Sequence, residues 1–261
     1  MPFGLCNAPA TFQRLMDNVL RDPEWEAGRD YINDVIIGSS KFKNHLWDMT
    51  NLFKKLRKAN LKVKLNKCAF GMKKVIYLGH ELLAEGVRPN PKKVEAIDRM
   101  QPPVDISGLR RFLGLTSYYQ KFIYKYADVA EPLNQLLCKG KIYKWDTKCQ
   151  KAFEELKNRL VTAPILTYPD FNKVFYLQTD ASDFGLEVVL ARKDNKRKDK
   201  VVAYASRSLT KTERNYLVTE KECLAIIWGV KIFRPYLYGR KFIAITDHSA
   251  LTWLKTMKEP Q

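Results

Sequence analysis

The chain has 261 residues, enough for one large or two modest domains, and its 46% apolar content supplies real cores. A formal net charge of +18 at pH 7 makes attraction to a polyanion nearly unavoidable at moderate salt, so nucleic acid is the natural partner, with a merely solvated basic surface the alternative that composition leaves open. Five cysteines, odd in number and without a Cys-x-x-Cys pair, and three widely separated histidines exclude a disulfide scaffold and a structural zinc. The start lacks the basic and apolar regions of a signal peptide and no apolar run approaches twenty residues, so the reading is an intracellular chain with no membrane partner.

In chain order, Pro9 to Leu20 predicts a helix with Phe12, Leu15, Met16, Val19 and Leu20 at helical spacing. Tyr31-Ile32-Asn33-Asp34, followed by Val35-Ile36-Ile37-Gly38, predicts a tight hairpin: apolar β-formers flank an Asn33-Asp34 pair suited to a two-residue turn. Asp34 is then expected at the exposed tip, with Tyr31, Val35 and Ile37 anchoring the sheet. A carboxylate raised in this way can serve as a metal ligand, although most such pairs are ordinary turns. Leu46, Met49, Leu52, Phe53, Leu56 and Ala59 predict a second amphipathic helix whose other face carries Lys54, Lys55, Arg57 and Lys58.

Tyr77-Leu78-Gly79-His80-Glu81-Leu82 reads as strand and turn. Pro89, Pro91, Pro102 and Pro103 then mark a linker or domain transition near residues 86 to 106. Leu109, Phe112, Leu113, Leu115, Tyr118, Tyr119, Phe122 and Ile123 form a helical stripe interleaved with Arg110, Arg111 and Lys121; core packing is its default reading and base stacking the minority one. A helix from Asp146 to Leu160 leads through Pro164 and Pro169 to a new domain near Phe171. From residue 174 the pattern is strand, strand, strand, helix, strand: Val174 to Thr179, Leu186 to Ala191, Val201 to Ser206, Thr219 to Arg234, and Phe242 to Thr246. Short loops permit antiparallel neighbours among the first three, and the helical return implies a crossover to a parallel partner.

Met1-Pro2-Phe3-Gly4-Leu5-Cys6-Asn7-Ala8-Pro9-Ala10-Thr11-Phe12-Gln13, the hairpin, Tyr77-Leu78-Gly79-His80, Phe112-Leu113-Gly114-Leu115-Thr116-Ser117-Tyr118-Tyr119 and Thr179-Asp180-Ala181-Ser182 together resemble the polymerase of gypsy-type LTR retrotransposons, in order and spacing along essentially the whole chain. The resemblance implies an α/β (α+β) chain. Residues 1–88 would be a reverse transcriptase palm remnant with a primer-grip-like hairpin, 89–170 a thumb and connection helical region, and 171–261 a C-terminally truncated RNase H-like domain. The implied activity is RNA-directed DNA polymerase with RNase H, acting on RNA, DNA and RNA-DNA hybrid beside other segments of a Pol polyprotein.

The implied catalytic and metal-binding residues are Asp34, Asp180, Glu222 and Asp247, and the implied cofactor is Mg²⁺ or Mn²⁺. The family places the strand ending at Asp247 beside the one ending at Asp180, which would set the two carboxylates about 5 Å apart, near one strand spacing. Two such acids with Glu222 would make three-quarters of a two-metal site. Each also has a structural reading: Thr219-x-x-Glu222 is a capping box, and Asp180 and Asp247 are potential strand-end turn formers. Three departures bear on function. Asn33 stands where the family's Tyr-x-Asp-Asp has its first Asp, Glu187-Val188 replaces a Gly-Ala, and the chain ends after an Ala250 to Met257 stretch resembling the next helix, before the family's fourth carboxylate. The expectation is lost polymerase chemistry and an incomplete nuclease site; a catalytically inactive nucleic-acid-binding protein, decayed or domesticated, is the alternative. Glu187 either perturbs packing beside the site or faces solvent.

Overall fold

A computed structural model describes residues 4–21, 28–138 and 140–248. The chain divides into two units, Met1–Leu78 and Gly79–Gln261. The helix expected from Ala250 to Met257 lies outside the described residues.

In the first unit, α1 (Ala8–Leu20) carries Pro9 in its first turn, where a fixed φ and a missing N–H cost nothing. Strand β1 (Gly28–Tyr31) pairs antiparallel with β2 (Asp34–Ile37), and α2 (Phe42–Lys58) and β3 (Val75–Tyr77) follow. Met16 and Leu20 of α1 meet Leu52 and Leu56 of α2 in a small core, with Val35 and Ile37 packed against it. The apolar stripe of α2 is narrower than its sequence: Leu46 and Phe53 are exposed, and Phe53 meets Phe70 edge-on. So small a core covers only the C-terminal half of a 17-residue helix.

The second unit begins with the antiparallel hairpin of β4 (His80–Leu82) and β5 (Val87–Pro89). Helices α3 (Pro91–Asp98), α4 (Ile106–Tyr118), α5 (Tyr126–Gln135) and α6 (Thr147–Val161) pack around Leu109, Phe112, Phe122, Leu133, Phe153 and Leu156. Asn90, Asp105 and Asp146 each cap the helix that follows by accepting a first-turn N–H, from Lys92, Gly108 and Cys149. The prolines between residues 86 and 106 end and start elements: Pro89 closes β5, Pro91 opens α3, and the buried Pro103 accepts the Tyr143 hydroxyl at 2.6 Å. The stripe from Leu109 to Ile123 is not one helix. It breaks after Tyr118 into a single 3₁₀ turn, and Lys125, left-handed at φ 54°, redirects the chain into α5.

Strands β6 (Phe175–Ala181), β7 (Gly185–Lys193), β8 (Asp199–Ser208) and β9 (Phe242–Thr246) form one sheet in the order β8-β7-β6-β9. The first three are antiparallel and β9 runs parallel to β6, returned there by α7 (Val218–Ile232) and the short α8 (Arg234–Leu237), as loop lengths and the helical crossover predict. β7 is buried along seven consecutive residues because α7 covers one face and α5 lies against the other.

Gly86 holds this unit together at one tight approach. Its φ is +156°, and a Cβ there would stand 2.1 Å from the Leu166 carbonyl oxygen, beside the paired Val87–Leu166 backbone bonds of 2.8 and 2.9 Å. Gly86→Ala is therefore expected to destabilise the chain by about 3 kcal/mol, read as a lower urea midpoint with an unchanged slope. An unaltered midpoint would show that the contact is not maintained in solution.

Candidate active site

Tyr31 pairs with Asp34 across β1 and β2, so the two-residue turn is Ile32-Asn33 and not the expected Asn33-Asp34. Asp34 is the exposed first residue of β2. Tyr31, expected as an anchor, is 54% exposed, while Val35 and Ile37 do face the core. Ile32 adopts φ 54°, costly for a β-branched residue, and Gln13 secures it: the Gln13 Oε1 accepts the Ile32 N–H and its Nε2 donates to Asp30 Oδ2 at 2.7 Å. Asn33 is neutral, so the tip offers the Asp34 carboxylate alone.

In the second unit, Thr179 of β6 lies level with Thr246 of β9, which puts Asp180 and Asp247 next along adjacent parallel strands. Glu222 reaches the same end of the sheet from α7, its Oε1 accepting the Ala181 N–H at 3.1 Å. The capping role considered for Glu222 belongs to Glu220, whose Oε2 accepts the Leu217 N–H at 2.8 Å. Leu217 has no side-chain acceptor, so only half of a capping box is made. Glu222 is thereby left to the site. Its Oε2 is buried with no hydrogen-bond partner among the described residues, as is His248 Nδ1 close by. Burial pushes the Glu222 carboxyl above its ordinary range, and the nearby charges of Asp247 and Asp180 push it the same way against the Ala181 N–H. The three acids thus feel one another.

They do not form a finished cage. Among the described residues no three His, Cys, Asp or Glu side chains gather closely enough to hold a metal ion. Asp180 Oδ2 instead meets Lys125 Nζ at 2.6 Å, and that hydrogen bond raises the lysine above its usual range. Hard carboxylate oxygens, one of them buried and unpartnered, are nonetheless the donor set that suits Mg²⁺ or Mn²⁺.

The question left open at Glu187 is decided by packing. Glu187 pairs with Asp180 on one side and Ser206 on the other, so all three share the sheet face that α5 covers. It is 2% exposed and accepts from Ser206 Oγ, which itself receives the Ala127 N–H at 2.7 Å. Next to it, Ser182 Oγ donates to Asp128 Oδ1 at 2.7 Å. Gly185 allows this approach, since a Cβ there would fall 2.9 Å from Asp128 Oδ1. Lys125, Asp128 and Ser206 carry no local sequence signal of any role; they join the site only because α5 docks on the sheet.

Two basic surfaces accompany these sites. Lys54, Arg57, Lys58, Lys62 and Lys64 are exposed on the first unit. On the second, Lys193, Lys196, Arg197, Lys198 and Lys200 cluster at the β7–β8 turn, which Asp194 fastens by accepting the Lys196 and Lys198 N–H groups at 2.8 and 2.9 Å.

Comparison with known proteins meets the same architecture. Residues 1–82 match the family described as reverse transcriptase (RNA-dependent DNA polymerase), and residues 145–244 match the RNase H-like domain found in reverse transcriptase. The class is thus a reverse transcriptase segment followed by an RNase H-like domain. The chain is 45% identical over 261 residues to the retrovirus-related Pol polyprotein from transposon 297 of Drosophila melanogaster, covering 100% of this chain and 24% of that protein. It is 44% identical to the corresponding polyprotein from transposon opus (97% and 26%) and 34% identical to the transposon Tf2-3 polyprotein of Schizosaccharomyces pombe (96% and 19%). The chain is thus similar to transposon Pol polyproteins along its whole length, and it spans between about a fifth and a quarter of the length of these curated relatives. Among solved structures, a foamy viral protease-reverse transcriptase in complex with RNA/DNA hybrid superposes with a TM-score of 0.85 at 22% identity, over 99% of this chain and 35% of that one. A form of it named dRH, in complex with double-stranded DNA, gives 0.86 over 99% and 45%. At that identity the likeness is one of fold.

Burial raises the Glu187 carboxyl from its ordinary 4.5 to about 8. Folding therefore takes up a proton between those values: the full stability is present below the lower one and is lost as pH rises toward the upper. Relative to Glu187→Gln, the unaltered chain should lose up to about 1.4 kcal/mol per pH unit between pH 5 and 8 in urea unfolding. Parallel pH profiles for the two proteins would contradict a buried, protonated Glu187.

Proposed function

We propose that this chain is a nucleic-acid-binding Pol segment whose RNase H-like domain holds a divalent cation through Asp180, Glu222 and Asp247 and hydrolyses the RNA of RNA-DNA hybrids slowly. The observation that carries this reading is the buried, unpartnered Oε2 of Glu222 at the sheet end where Asp180 and Asp247 follow the paired Thr179 and Thr246. Bound Mg²⁺ or Mn²⁺ would activate a water and neutralise the leaving oxygen. The chain's own residues supply the rest: the exposed lysines and arginines engage phosphates by counterion release, and Asp180, Glu222 and Asp247 supply the negative charge that holds the cation. Lys125 opposes them by neutralising Asp180. We place the chain inside the cell, among other segments of the same polyprotein, with RNA, DNA and their hybrids as partners; no helix among the described residues is long and apolar enough to cross a membrane.

Calorimetric titration with Mn²⁺ tests the site. Lys125→Ala should tighten binding several-fold, about 1 kcal/mol for an ion pair that solvent partly reaches, and should speed hybrid cleavage in step. Asp180→Asn should abolish the tight site and reduce cleavage about a hundredfold or more. Cleavage unchanged by Asp180→Asn would place the chemistry elsewhere.

The hairpin is read as having lost polymerase chemistry, since Asn33 removes one of the paired acids and phosphoryl transfer needs cations held by more than one carboxylate. Primer extension on an RNA template should give no incorporation above the blank. Incorporation that disappears with Asp34→Asn would overturn this.

A further inference from the structure

At the end of β6 remote from Asp180, a groove of about 930 Å³ runs between α7, α8 and the loop at Phe171. Phe171 precedes β6 and meets Phe175 at its start, while Asp180 stands five residues along the strand, about 16 Å at 3.3 Å per residue. Phe171, Trp228, Lys231, Arg234, Tyr238 and Arg240 line the groove, and among the described residues no carboxylate does. Three cations beside three rings, with no acid between them, complement a polyanion that also carries flat apolar groups.

The rings are accessible and the guanidinium groups are already in place. Tyr238 is 75% exposed and Phe171 44%. Arg234 lies over the Tyr238 ring at 4.9 Å and Arg240 over Phe171 at 4.8 Å, with Arg240 also fixed by donating to the Phe171 carbonyl. Stacking engages the face of a guanidinium and leaves its edge for phosphate oxygens. Bases inside a duplex cannot reach rings set in a groove, whereas an unpaired strand can turn its bases onto them. We infer that this groove is a subsite for single-stranded nucleic acid, taking bases on Tyr238 and Phe171 and their phosphates on Lys231, Arg234 and Arg240. It lies apart from the carboxylates and does not depend on the chemistry proposed for them.

Fluorescence anisotropy of a labelled oligothymidylate with the full chain tests the assignment. Tyr238→Ala should weaken binding about 5- to 100-fold, the range for one lost base stack, and Tyr238→Trp should restore it. Because Tyr238 is mostly exposed, thermal unfolding should not move. Arg234→Gln with Arg240→Gln should flatten the salt dependence by about 1.4 in log–log slope, two phosphate contacts on a single strand. Asp180→Asn should leave this binding intact, which separates failure of the groove from failure of the metal site. Oligothymidylate bound equally well by Tyr238→Ala would overturn the proposal. So would duplex DNA showing the same Tyr238 dependence, or polyglutamate displacing the strand at equal charge, which would make the groove a general acidic-ligand surface.

Discussion

The docking of the first turn of α5 onto the sheet is the contact on which the second unit depends. Ala127 donates to Ser206, Ser206 to Glu187, and Ser182 to Asp128, so α5, β7, β8 and the turn after β6 are joined through buried and half-buried polar groups. Each link leaves few donors or acceptors unmet, and removing one partner would strand the other in a low-dielectric layer, where an unpaired polar group costs about 1–3 kcal/mol. Two local features make the approach possible: the left-handed Lys125 that starts α5, and the missing side chain of Gly185. The helical layer and the sheet therefore behave as one body within this unit.

The same docking sets the chemistry at the strand ends. It brings the Lys125 ammonium to Asp180, and it buries Glu187 beside that acid. A charged Glu187 would be opposed by Asp128 as well as by desolvation, which is why it keeps its proton well above the ordinary carboxylate range. Glu187 is thus neutral near pH 7 and adds little negative charge beside Asp180. The face of the sheet that meets α5 is a structural layer, and the end of the sheet where Glu222 keeps an unpartnered oxygen is the place for catalysis. The two functions share Asp180, and Lys125 is where they conflict.

The first unit solves a smaller problem of the same kind. A β-branched residue at positive φ is held in a hairpin turn by a glutamine on a neighbouring helix, so the turn geometry is imposed from outside the hairpin. A two-residue turn with ideal residues would need no such support. The hairpin keeps its shape although the residue before Asp34 at its tip is an amide, Asn33.

Much of this was legible in the residues themselves. Alternation and short loops gave the three antiparallel strands, and an intervening helix gave the parallel return of β9, because side-chain period and connection length are local properties. The order of motifs gave the resemblance to transposon Pol polyproteins, and the strand pattern gave the parallel pairing that sets Thr179 level with Thr246. What the sequence could not decide was anything resting on a one-residue offset or a distant neighbour. The hairpin register depended on the Gln13 bridge, and the α7 cap fell on Glu220 because the N-cap is Leu217, two residues before Thr219. Glu187 was ambiguous because strand alternation assigns a face but not what covers it; only the packing of α5, more than fifty residues upstream, made that face an interior. Lys125 was silent for the same reason: its partner is set by tertiary docking, and no local pattern encodes which carboxylate an ammonium will meet.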